Sequence, residues 1–229
     1  MEETIVMINS LVDDSFQAFL VENASFTPKE EYPIIKPEMI SKVLPNQIMP
    51  FQKAITFQGD LSKTFICTFS PDDTFERIRR NPKRYLSFFK RTAGIIGFDF
   101  SIHSDMPIIK QKSQMNDNLS LTYYFGYNGI PIIPNLRCGI DELIPEFFSA
   151  IPQKSYVAIG THGFCKEKKE QYEWYCFIEK IIELLDPIAI IVYGTLRGSI
   201  FNSLKATGKF VFFDSWIAQR HKEAKKDGH

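Results

Sequence analysis

After residue 93 the chain alternates between short apolar runs and stretches with helical spacing. The runs fall at Gly94–Phe100, Ile130–Leu136, Tyr156–Ile159, Ile188–Tyr193 and Phe210–Phe213, with helical patterns over Leu119–Tyr127, Asp141–Ala150, Glu167–Leu185 and Gly198–Ala206. The pattern over 167–185 is the sharpest. Trp174, Ile178, Ile181 and Leu185 make one stripe, while Glu170, Glu173, Lys180 and Glu183 sit on the opposite, water-facing side. Continuous apolar strands separated by amphipathic helices read as βα units of a mostly parallel sheet covered by helices, an α/β fold. Strand starts lie about 22–36 residues apart, enough for a crossover helix each time. An open sheet with helices on both faces is the first reading. An incomplete or irregular (βα) barrel is the alternative, because eight βα units typically need about 250 residues.

The chain upstream is less regular. Pro28, Pro33, Pro37, Pro45 and Pro50 interrupt residues 1–52, which read as a proline-rich N-terminal extension to an α/β domain over 53–229. One helix before Asn23 is expected from Val12, Phe16, Phe19 and Leu20, followed by an extended segment lying along the domain. Ala54–Phe57 and Thr64–Phe69 read as a hairpin around Gly59-Asp60, and helices are expected over Asp73–Arg80 and Lys83–Arg91.

Composition excludes several classes. At 229 residues and 44% hydrophobic the chain can bury a full core, and 27 basic against 27 acidic residues leave no net pull toward nucleic acid or membrane. Cys67, Cys138, Cys165 and Cys176 form no CxxC pair, as expected of reduced thiols. The acidic start lacks the basic segment of an export signal, and no apolar run reaches the roughly 18–20 residues of a membrane span. A cytoplasmic protein without a membrane partner is expected.

In parallel sheets ligands gather at the carboxyl ends of the strands. There the sequence places Asp99, Ser101, His103 and Asp105 at alternate positions, then Asn135, Arg137 and Cys138, then Thr161 and His162, then Tyr193-Gly194-Thr195-Leu196-Arg197-Gly198. An aspartate in an apolar strand is costly unless paired, liganded or solvated in a cleft. Asp99, Asp105 and His162 are the candidate acid–base groups, with a structural cap as the plainer reading of Asp99. Ser101, Gln111, Asn135, Arg137, Thr161, Tyr193, Gly194 and Arg197 are candidate ligand contacts. The turn after Tyr193 is a candidate phosphate cradle, although it is neither a Walker loop nor GxGxxG. The two carboxylates and two imidazoles suit a divalent metal, but no fixed spacing such as HExxH supports one, and no metal or cofactor is assigned. Cys138 or Cys165 beside His162 would be a nucleophile pair.

A second cluster stands apart. Between residues 77 and 91 lie Arg77, Arg79, Arg80, Lys83, Arg84, Lys90 and Arg91 with no acid, which is either a solvated face or a surface for nucleic-acid phosphates.

The stretches NPKRYLSFFKR, DFSIHSDMPIIKQ, GIPIIPNLRCG, IPQKSYVAIGTHG and IIVYG, in that order from about Phe65 to Gly194, resemble the Domain of Unknown Function 4417 family. Its members are carried largely by phages and mobile elements. The resemblance implies that context and no reaction. His103 stands where the family more often has an aromatic and Cys138 where it commonly has tryptophan. That moves the weight to Asp99, Ser101, Asp105, Gln111, Asn135, Thr161 and His162. Two functions are therefore carried forward. One is an enzyme, or degenerate enzyme, that binds a small phosphate-bearing or nucleotide-like molecule. The other is a non-catalytic accessory protein that binds nucleic acid or a host protein.

Overall fold

The computed structural model describes residues 17–137, 139–161, 167–196 and 198–219. Among the described residues, seven short strands are all parallel to their neighbours. They are β1 (Gln47–Pro50), β2 (Thr64–Cys67), β3 (Gly94–Ile96), β4 (Ile132–Ile133), β5 (Tyr156–Gly160), β6 (Ala189–Tyr193) and β7 (Phe210–Phe213). The first four form one sheet and the last three another, each in chain order. A parallel bridge between Asn135 and Ala158 joins them through two backbone hydrogen bonds, Leu136 N–H to Ala158 O and Ala158 N–H to Pro134 O, each 2.8 Å.

Strand order decides where the helices go. Parallel crossovers are right-handed, so an order that never reverses lays the connecting helices on one face. These helices are α1 (Phe51–Ala54), α2 (Glu76–Arg80), α3 (Leu86–Phe89), α4 (Ile108–Tyr127), α5 (Ile144–Ser149), α6 (Lys168–Leu185) and α7 (Asn202–Lys205). Met49, Ile66, Ile95, Ile132, Val157, Ile159, Ile190 and Val192 point from the strands into a large core shared with them. Alternate residues point the other way: Ile48, Phe65, Cys67, Ile96, Ile133, Ala158, Ile191 and Tyr193 form a second buried core without a helical residue. A sheet face that is buried with no helix over it is covered by the sheet itself, so the sheet curls. The open sheet with helices on both faces thus gives way to a curled, one-sided one. No described strand pairs β7 back to β1, so the curl is not a closed barrel.

The expected hairpin is replaced by a βαβ unit. Pro50 ends β1, Phe51 and Ala54 bury one face of the single-turn α1, and β2 returns parallel to β1. The alternation in Ala54–Phe57 mimicked a strand, yet Phe57 is exposed. The turn at Gly59-Asp60 is real, since the Asp60 carboxylate accepts from the Ser62 N–H at 2.8 Å. β1 itself lies within the stretch read as extension. Upstream, Tyr32, Ile35 and Met39 are buried, and the Ser41 N–H donates to Ile132 O at 2.8 Å, which ties this segment along the domain. The expected helix before Asn23 lies mostly outside the described residues; Ala18–Val21 is a 3-10 turn.

Helix α4 starts eleven residues before the apolar pattern does, because it buries polar side chains. Gln111, Asn118, Ser120 and Thr122 are all buried. Thr122 Oγ1 accepts the Phe98 N–H at 3.2 Å. Asn118 accepts the Phe100 N–H at 2.8 Å and donates to Phe100 O at 3.2 Å. These side chains take over the ladder bonds that residues 98–100 lose as β3 leaves the sheet, as buried backbone groups require. Replacing Asn118 with Ala orphans both polar groups of Phe100. It should lower unfolding free energy by about 2–3 kcal/mol, measurable by urea denaturation. A change of a few tenths would mean water reaches that segment.

Candidate functional site

With Phe98 held toward α4, alternation turns Asp99 to the other side of the chain. There the Asn135 amide donates to Asp99 Oδ1 at 2.7 Å and to Phe98 O at 3.1 Å. Arg137 Nη1 donates to Asp99 Oδ2 at 2.9 Å. Both ends of this ion pair are sheltered, with side-chain exposures of 19% for Arg137 and 10% for Asp99. Burial pushes the Asp99 carboxyl above the ordinary aspartate range, and the Arg137 charge and the Asn135 hydrogen bond pull it partly back. Below it in the inner core, burial pushes the Cys67 thiol up to about 12, and the Asp99 charge adds to the effect. Cys67 is therefore an inert core residue.

Asp99 and Arg137 form part of the wall of a cavity of about 800 Å³ at the carboxyl ends of β3, β4 and β5. The first turns of α6 close its far side with Glu170, Tyr172, Glu173, Trp174, Cys176 and Phe177. An aromatic relay anchors that wall: Trp174 meets Phe177 edge-on at 5.8 Å, and Phe177 meets Phe148 of α5 at 5.9 Å. Glu167 and Glu170 cap α6 reciprocally in a capping box. Leu136, Ile140 and Ile144 supply apolar wall, and Asp105, Asp141 and Glu142 further carboxylates.

The candidate residues separate into two groups. Asp99, Asn135 and Arg137 come together, and exposed Asp105 and His103 stand on the same cavity wall. Four others serve the scaffold. Ser101 bonds the Asp72 carboxylate through its N–H and its hydroxyl, the latter at 3.0 Å. Gln111 is fully buried, donates to Ser104 O and Met106 O, and accepts the Ile140 N–H at 3.0 Å, so it staples the two loops that frame the cavity. Gly139 leaves room for it, since a Cβ there would overlap Gln111 Oε1. Thr161 Oγ1 accepts the Thr195 N–H at 2.9 Å and ties the ends of β5 and β6. Tyr193 is buried in the inner core, stacked on Phe69 at 5.1 Å with burial raising its phenol pKa. Gly194 is adjacent, and neither it nor Tyr193 is among the lining residues. Cys138, His162, Cys165 and Arg197 lie outside the described residues. Among the described residues no three His, Cys, Asp or Glu side chains converge as metal ligands, and no helix is long and apolar enough to cross a membrane.

The contribution of α6 was missed. Glu170 and Glu173, read as water-facing, front the cavity, and the signal was available in Trp174, whose wide ring marks the boundary of the buried stripe.

The basic cluster also divides. Arg79 is committed to Glu76 and Asp117, at 2.9 and 2.8 Å, and Arg80 lies 3.5 Å from Glu76. The Arg77, Lys83 and Arg91 cations sit over the rings of Phe51, Phe19 and Phe88.

A curled parallel α/β scaffold with an acid-lined cavity at its strand ends defines the class of protein. The family model described as Domain of unknown function (DUF4417) matches residues 28–211, and the chain belongs to that family. Among curated proteins it is similar to the "Gene 1 protein" of Mycobacterium phage L5, 27% identical over 129 residues that make up 56% of each chain. The "Gene 1 protein" of Mycobacterium phage D29 is 24% identical over 129 residues, 56% of this chain and 48% of its own. The chain thus spans about half the length of the curated relatives it matches. No solved structure matches.

The Asp99–Arg137 pair can be weighed directly. A double-mutant cycle with Asp99→Asn and Arg137→Met should give a favourable coupling of about 1–3 kcal/mol. Because the folded pKa of Asp99 is raised, its contribution is present below the unfolded value near 4 and is lost as pH rises through the folded pKa. The melting temperature of the wild type relative to Asp99→Asn should therefore fall as pH rises from about 4. A gap that widens with pH would mean that Arg137 outweighs burial.

Proposed function

We propose that the protein binds and acts on a small molecule in the strand-end cavity, with Asp99 as its acid–base group and Arg137 and Asn135 holding that carboxylate in place. The observation that carries this reading is a buried, ion-paired aspartate in the wall of an 800 Å³ cavity. A carboxyl sheltered there with a raised pKa has the properties a general acid or base needs. Small-molecule sites combine apolar walls with a few convergent polar groups in this way.

The lining favours one ligand charge. Besides Asp99, five described lining residues are acidic: Asp105, Asp141, Glu142, Glu170 and Glu173. Asp141 is partly neutralised by Lys180 at 2.7 Å and Glu173 lies 3.8 Å from Lys169, which leaves Asp105 and Glu142 without an ion pair in the described structure. A phosphate-bearing ligand, the expectation from the strand-end turns, would have to draw Arg137 from Asp99 against these carboxylates. An ammonium or guanidinium group meets them directly, beside the aromatic residues Tyr172 and Trp174 of the same wall.

Thermal shift against spermidine, agmatine and arginine on one side, and AMP and inorganic phosphate on the other, tests this. A binding amine at a hundredfold excess over Kd should stabilise the fold by about 2.7 kcal/mol. Asp105→Asn combined with Glu142→Gln should weaken that binding without lowering the melting temperature of the free protein. Stabilisation by AMP or phosphate alone would overturn the cationic reading.

A further inference from the structure

We infer that the surface formed by α1, α2, α3 and the turn after α3 is a docking face for the phosphate backbone of duplex nucleic acid, independent of the strand-end cavity. The run of cations between residues 77 and 91 is visible in the sequence; that they share one surface is not. Arg77 of α2 lies over the Phe51 ring of α1 at 5.0 Å, and Arg91, just past α3, lies over the Phe88 ring at 5.8 Å. Those two rings are themselves in edge contact at 5.8 Å, so guanidiniums from different elements flank one aromatic pair. Lys83 is fixed in the same manner, 4.1 Å from the Phe19 ring centroid. Arg84 and Lys90 are exposed between them. None of Arg77, Lys83, Arg84, Lys90 and Arg91 makes an ion pair among the described residues. Glu76, the acid beside the run, is occupied by Arg79 and Arg80.

Two features choose the partner. Protein interfaces need apolar or aromatic anchors at their centre, and this face exposes none. Phe51, Ile78, Tyr85, Phe88 and Phe89 are buried, and the Arg77 and Arg91 cations lie over the Phe51 and Phe88 rings. The same roofing removes the stacking platforms on which single strands depend. What remains is a set of five pinned or free cations with neutral Asn81 and Ser87 exposed among them. That set fits a rigid array of phosphates read without regard to base sequence. Guanidiniums engage phosphate oxygens in bidentate fashion, and holding them on rings lowers the ordering cost of doing so.

The test is fluorescence anisotropy of the full chain with a labelled DNA duplex of about 20 bp, titrated from roughly 50 to 200 mM salt. Five neutralised phosphates predict a slope of log affinity on log salt near −4.5, hence a loss of several hundredfold across that range. Arg84→Glu combined with Lys90→Glu leaves the ring contacts and ion pairs untouched, and should reduce affinity at least tenfold and flatten the slope. Lys63→Glu, a reversal outside the face, should leave affinity unchanged. Absence of binding at the lowest salt, or wild-type affinity in the double reversal, would overturn the proposal. So would equal competition by polyglutamate, which would point to an acidic protein, or tighter binding of the single strand than of the duplex.

Discussion

A parallel sheet whose strands follow chain order has helices on one side only, and its other side must find cover from its own residues. Here that cover is aromatic. Phe65, Phe69 and Tyr193 fill the concave face together with Ile48, Ile96, Ile133 and Ile191. Gly160 is part of the fit, since a Cβ there would lie 2.5 Å from the Phe69 ring. The concave face is thus a packed plug and not a channel, as in the filled interiors of βα barrels. A ligand has no room inside it. The free volume lies above the plug, between the strand ends and the first turns of α6, so the cavity follows from the winding of the sheet. The same logic explains why Asp99 can be tolerated: it sits where the apolar filling ends and where Asn135 and Arg137, just past β4, reach it.

Much of this was legible in the sequence, and the misreadings have specific causes. The five apolar runs from Gly94 to Phe213 each contain a strand, and the helical pattern over 167–185 became α6 almost to the residue. Asp99, Asn135 and Arg137 were visible because polar side chains at the ends of apolar runs are conspicuous. Two elements were hidden. The start of α4 reads IIKQKSQMNDN, polar on every face, because Gln111, Asn118 and Thr122 spend their side chains on other segments' backbones, and periodicity cannot see a buried hydrogen bond. β1 was hidden by Pro50, which closes the strand and begins α1. Whether the sheet winds one way or both was also out of reach, since strand order is a long-range property that a string of βα units leaves open.

The balance of 27 basic against 27 acidic residues conceals two opposed fields. Carboxylates collect around the cavity, at Asp99, Asp105, Asp141, Glu142, Glu170 and Glu173. Uncompensated cations collect on α2, α3 and the turns beside them, at Arg77, Lys83, Arg84, Lys90 and Arg91. Each group keeps its sign for a structural reason. Glu170 is retained by the capping box of α6. Three of the cations, Arg77, Lys83 and Arg91, are held over the rings of Phe51, Phe19 and Phe88. Net charge is therefore a poor guide to what this surface attracts, because fields act locally within a screening length of about 8 Å in physiological salt.

The turn after β6 shows what else a glycine at a strand–helix junction can do. Gly194 has φ +114°, a conformation that glycine adopts freely. A phosphate cradle also needs backbone N–H groups that are free to point at the ligand. Two of them are engaged here: the Gly194 N–H donates to Phe213 O at 2.8 Å and the Thr195 N–H to Thr161 Oγ1 at 2.9 Å. The helix that follows, α7, has only four residues and begins beyond a 3-10 turn, so it offers little dipole. The glycine serves packing. A Cβ at Gly194 would come within 2.3 Å of Thr161 Oγ1, the atom that couples the ends of β5 and β6. Thr161 and the Gly194-Thr195 turn thus clasp the ends of β5 and β6 together above the plug.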